Sequence, residues 1–133
     1  MLYIAIPIEP VSKKNSQRIL INRKTGNPFV MPSVKYEHYQ NDAGRLIRLQ
    51  QIKSLEDYGI TYPVNIKCKF YMSTRRRCDL TNLLESIDDI LTHYGVITDD
   101  DYKHVAGHDG SRVYVDKEFP RTEIYITPIE GGD

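Results

Sequence analysis

The sequence is poor in cysteine and has no long apolar run. Cys68 and Cys78 are its two cysteines, too few to staple a small fold with disulfides. They do not point to zinc either, because His93, His104 and His108 stand at no ligand spacing from them. No stretch approaches the roughly 18 consecutive apolar residues of a membrane-spanning helix. Nothing resembles a secretory signal. These absences set the expectation of a cytoplasmic protein with reduced thiols and no membrane partner. Repeats and low-complexity tracts are also missing, so the 133 residues are expected to form one domain, residues 1–133, with a modest core.

Net charge is missing as well: 18 Lys+Arg balance 18 Asp+Glu. The balance hides a strong asymmetry. Residues 1–78 carry 14 basic and 5 acidic side chains, a net +9, whereas residues 79–133 carry 4 and 13, a net −9. Such asymmetry fits contact with a polyanion. The alternative is a fold that intermixes the halves and shows no patch.

Hydrophobic periodicity gives the elements. Leu2–Glu9 reads as a buried strand, which Pro7 and Pro10 place at an edge or end early. Val11–Gln17 is polar and reads as a loop. Arg18–Asn22 and Pro28–Met31 read as a hairpin around Thr25-Gly26-Asn27. Ser33 is a fitting N-cap for a helix to about Lys53, with Tyr36, Tyr39, Ala43, Leu46 and Ile47 at helical spacing. Pro63–Ser73 alternates cleanly, with Val64, Ile66, Cys68, Phe70 and Met72 on one face. A second helix is expected from about Leu80 to His93, closed by Gly95. Tyr102–Ala106 and Arg112–Asp116 read as strands flanking His108-Asp109-Gly110, and Arg121–Pro128 as the last strand. The order β-β-β-α-β-α-β-β predicts an α+β domain, a mixed β-sheet packed by two main helices.

The chemistry concentrates between Arg75 and Asp101. Arg75-Arg76-Arg77 opens this segment and Asp99-Asp100-Asp101 closes it. Arginines partner phosphate, and carboxylate oxygens are ligands for Mg²⁺ or Mn²⁺. On the second helix, a rotation of about 100° per residue puts Asn82, Glu85, Ser86 and Asp89 on one face and the leucines and isoleucines on another. Asp88 falls between the two groups. Glu85 and Asp89 at i, i+4 repel by a few tenths of a kcal/mol unless a cation lies between them. Asp79 opens the helix, where Asp is also a common N-cap. Taken singly, each feature has an ordinary reading as cap, turn or solvated face; their co-occurrence within 27 residues favours a metal site.

The pattern resembles the RusA-like Holliday junction resolvases, found in bacteria and especially prophages. The resemblance rests on Arg77-Cys78-Asp79-Leu80-Thr81-Asn82-Leu83, Asp89-Ile90-Leu91, Gly95-Val96-Ile97 and Asp99-Asp100. It extends to Pro10-x-x-Lys13-Lys14-Asn15, Pro32-Ser33-x-x-Tyr36 and Pro120-Arg121-Thr122-Glu123-Ile124. It implies a homodimeric, Mg²⁺-dependent endodeoxyribonuclease that places paired nicks in branched DNA, for recombination and repair. Metal-binding aspartates carry over to Asp79 and Asp100. Two positions depart from the pattern: Thr81 stands where a second metal aspartate belongs, and Glu85 where a catalytic lysine belongs. The expected metal set is therefore Asp79, Asp89 and Asp100, with Glu85 contributing a carboxylate and Asp99 in or near the shell. Lys13, Lys14, Asn15, Arg75, Arg76 and Arg77 are the expected DNA contacts. The competing expectation is a DNA-binding module whose cleavage chemistry has been lost at Thr81 and Glu85.

Overall fold

The computed structural model describes residues 1–13, 17–54 and 58–129. Three strands form the heart of a mixed sheet: β1 (Leu2–Ile6), β4 (Val64–Met72) and β7 (Arg121–Pro128). β7 lies between the other two and runs antiparallel to both. The register aligns Ile4, Ile124 and Cys68 across the three strands, and likewise Leu2, Ile126 and Ile66. One face is therefore a continuous apolar surface, as the period of two requires. The opposite face carries Tyr3, Tyr125, Lys67 and Lys69, with both lysine ammoniums over the Tyr125 ring.

Two helices cover the apolar face: α1 (Val34–Ser54) and α2 (Leu80–His93). Tyr36, Tyr39, Ala43 and Ile47 of α1 and Leu83, Leu84, Ile87, Ile90 and Leu91 of α2 are buried with the sheet residues in one core. The Ser33 hydroxyl accepts the Tyr36 N–H at 3.1 Å and caps α1. Further along, the Gln50 side chain donates to the Ala5 carbonyl and accepts its N–H. That contact covers backbone groups of the edge strand β1. At the end of α2, Gly95 takes φ 74° and the Val96 N–H returns to the Leu91 carbonyl. This left-handed closure suits glycine.

Several expectations need correction. β1 stops at Ile6 rather than Glu9, as Pro7 brings no N–H to the ladder. The described residues form seven strands, as the segments read one by one do, where the expected order has six. Tyr102–His104 belongs to a turn, with β5 limited to Val105–Gly107 and β6 to Arg112–Val115. Those two strands do not pair with each other. Both run parallel to β4, β5 at its start and β6 at its end. Between them β4 has backbone groups facing no strand, and the loop 108–111 satisfies them with side chains. The Cys68 N–H donates to the Ser111 hydroxyl, and the Ile66 carbonyl faces His108 Nδ1 at 2.9 Å. The expected hairpin is present as β2 (Gln17–Ile21) and β3 (Pro28–Pro32), a separate two-stranded sheet.

Candidate active site

The site is organised around α2. Asp79 is its N-cap, with extended backbone (φ −100°, ψ 123°), yet its carboxylate makes no capping hydrogen bond. Its Oδ2 accepts instead from Asn82 Nδ2 at 3.2 Å. The simple capping role leaves this exposed carboxylate unexplained. Upstream, the connection from β4 is anchored by Glu9, whose carboxylate accepts from the Ser73 N–H and hydroxyl. Arg75, Arg76 and Arg77 then project as exposed residues. Among the described residues none of the three has an ion-pair partner.

The turn after α2 is held from the other side. Ile60 and Ile97 form a parallel bridge, and the Thr98 N–H donates to the Ile60 carbonyl at 3.1 Å. Asp99, Asp100 and Asp101 follow and are exposed. The Asp99 carboxylate accepts the Asp100 N–H at 2.7 Å. Asp101 pairs with His104, and this contact lowers the Asp101 pKa. Asp99, Asp101 and His104 each offer a ligand atom within 4.8 Å of the others.

The structure pairs two expected site residues with each other. Lys13 Nζ lies 3.0 Å from Asp89 Oδ2, and the Lys13 N–H donates to the Ser86 hydroxyl. Half-exposed on both sides, the ion pair is worth at most about 1 kcal/mol, but it gives Asp89 a cation already. Lys14 and Asn15 lie outside the described residues. Glu85 is exposed on α2, where it lines an open pocket with Thr81, Leu84, Asp88 and His108.

Two residues that line this pocket are not among the sequence-predicted site residues: Asp88 and His108. Helical rotation alone places Asp88 outside both the apolar stripe and the acidic face. In fact its boundary position makes it half-buried, beside Glu85 on the helix. Asp88 Oδ2 lies 2.8 Å from His108 Nε2. Burial raises the Asp88 pKa; the His108 contact opposes this, while Asp100 and Asp89 raise it further. For His108, burial lowers the pKa, but Asp88, the Ile66 carbonyl and Asp109 together outweigh it, and the net shift is upward. Because the Ile66 carbonyl can only accept, Nδ1 carries a hydrogen, and Nε2 is the ring nitrogen that faces Asp88. The Asp100 effect on Asp88 also brings the turn and α2 into one electrostatic neighbourhood.

A family model described as endodeoxyribonuclease RusA matches residues 7–127. The chain belongs to the RusA family. Family membership implies endodeoxyribonuclease activity on branched DNA of the Holliday-junction type, generally supported by a divalent metal. A comparison with curated proteins finds no match. Among the described residues, no helix is long and apolar enough to cross a membrane.

Proposed function

We propose that this RusA-family protein is a Mg²⁺-dependent endonuclease that resolves four-way DNA junctions by paired nicks, acting as a homodimer. The observation that carries the reading is the family match over residues 7–127, supported by the acids at the start of α2 and in the turn that follows it. Asp79 begins the helix with a carboxylate not used for capping, and the Asp99–Asp100 turn lies close enough for Asp100 to perturb Asp88. Carboxylate oxygens suit a hard divalent cation. Asp79 and Asp100 would hold the metal, with Asp99, Asp89 and Glu85 as the adjoining carboxylates. Mn²⁺ suits the same oxygen donors.

A bound divalent ion would supply Lewis acidity and a water of lowered pKa for phosphodiester hydrolysis. The residues of the chain supply the remainder. Arg75, Arg76 and Arg77, exposed and without an ion-pair partner among the described residues, would neutralise phosphates beside the cut. Lys13 is docked on α2 and lies on the same side as Asp89, so it reaches phosphate only by leaving that carboxylate. Such contacts set register on the duplex without reading sequence. Clustered acids repel DNA in the absence of a cation, so metal binding and DNA binding are coupled. A two-fold dimer offers two equivalent sites to a nearly two-fold junction.

The test is substitution of the two firmest ligands. Asp79→Asn and Asp100→Asn are expected to abolish nicking of a synthetic junction while leaving its binding within a few-fold of wild type. Normal nicking by either purified variant would remove that residue from the metal set. Binding without nicking by the wild-type protein in any divalent metal would favour the non-catalytic alternative.

A further inference from the structure

We propose that Asp88 contributes a metal-binding carboxylate to the nuclease site and that His108 is the positioning residue that holds it; this rests on the metal-dependent reading above. Four observations point the same way. First, Thr81, Glu85 and Asp88 follow one another at i, i+4 and i+7, the spacing of a single helix face. All three line one open pocket of about 290 Å³ with His108. Thr81 cannot offer a carboxylate, whereas Asp88, two turns further along, is an acid that lines the same pocket.

Second, the two oxygens of Asp88 are used unequally. Oδ2 meets His108, but Oδ1 is buried and has no hydrogen-bond partner among the described residues. An unsatisfied buried carboxylate oxygen is unfavourable unless a cation or donor reaches it. Third, His108 attracts the Asp88 carboxylate while Asp100 and Asp89 repel it, so a cation shared with the Asp100 turn would relieve the repulsion. Asp89 itself already has Lys13.

Fourth, His108 is fixed from behind. Its Nδ1–H donates to the Ile66 carbonyl of β4, leaving Nε2 for Asp88. The loop that carries it is pinned at neighbouring points. The Asp109 N–H donates to Asn65 Oδ1 at 2.8 Å, Asn65 Nδ2 donates to the Asp109 carbonyl, and Ser111 accepts from Cys68 N–H. A ligating carboxylate held by such an outer partner keeps one orientation, and losing the partner typically weakens metal affinity about 10–100-fold.

The experiment measures Mn²⁺ affinity of the full chain by electron paramagnetic resonance, alongside junction nicking. Asp88→Asn is expected to weaken Mn²⁺ binding at least about 10-fold, and His108→Ala by a similar factor. His108→Gln, which retains an N–H donor, is expected to recover part of the loss. Asp42→Asn, on α1 and paired with Arg45, serves as the unaffected control. Wild-type Mn²⁺ affinity in folded Asp88→Asn or His108→Ala would overturn this assignment while leaving the nuclease reading intact. A wild-type protein that neither binds Mn²⁺ nor nicks would overturn both. Should the variants fail to fold, the wild-type protein decides: substoichiometric Mn²⁺ is expected to broaden the His108 imidazole resonances, and their persistence at full intensity would refute the proposal.

Discussion

Replacing Arg75, Arg76 and Arg77 with alanine isolates the phosphate contacts from the metal chemistry. All three are exposed and have no ion-pair partner among the described residues. Their removal therefore disturbs no described salt bridge in the free protein. Each phosphate neutralised on duplex DNA contributes about 0.9 to the slope of log affinity against log salt, so three contacts contribute ~2.7. Between 50 and 200 mM salt, that slope makes the wild-type advantage over the triple variant shrink ~40-fold. The assay is fluorescence anisotropy of a labelled four-way junction, titrated at several salt concentrations without metal that supports cleavage. Parallel salt dependences for the two proteins would refute the assignment of this loop to the DNA backbone. A slope change near 1 would reduce the assignment to a single arginine.

Two other predictions concern the scaffold that positions the site. Gly95→Ala places a side chain at φ 74°, which costs about 1–2 kcal/mol, partly offset by roughly 0.4–1 kcal/mol from a less flexible unfolded chain. A net loss near 1 kcal/mol is expected in urea unfolding; a more stable variant would mean the α2 closure relaxes freely. Cys68 is fully buried and its thiol is pushed up strongly by burial, whereas Cys78 is half-buried with a smaller rise. Native protein is expected to react with Ellman's reagent at one thiol, slowly, and at two in denaturant. Rapid reaction of both in the native state would contradict the packing of β4 against the helices.

How much was legible in the sequence depended on how local the determinant was. The alternation through Val64–Met72, the Ser33 cap and the Gly95 closure are each encoded within a few residues, and the corresponding elements match. The parallel pairing of β5 and β6 with β4 is not local, because its partners lie some forty residues apart. The short segments read as strands flanking His108-Asp109-Gly110, and nothing local in them names β4 as their partner. The acidic segment itself stood out, since helical rotation separates its carboxylates without any tertiary information. Rotation alone missed what lies across from each acid. Lys13 reaches Asp89 from 76 residues away, and His108 reaches Asp88 from 20. Those two partners are what distinguish Asp89, paired with a lysine, from Asp88, held with one oxygen unpartnered among the described residues. A histidine in a Gly-containing loop carries no such message by itself; the interval of seven from Thr81 to Asp88 was the one available hint.

The most direct measurement of the central claim is nicking of a synthetic four-way junction by the purified protein. Reactions would contain Mg²⁺, Mn²⁺ or EDTA, with linear duplex of the same sequence as comparison. Paired nicks near the branch point in either metal, none in EDTA and little cutting of the duplex are the predicted results. Cutting that persists unchanged in EDTA, or a junction left intact in both metals by folded protein that binds it, would contradict the account.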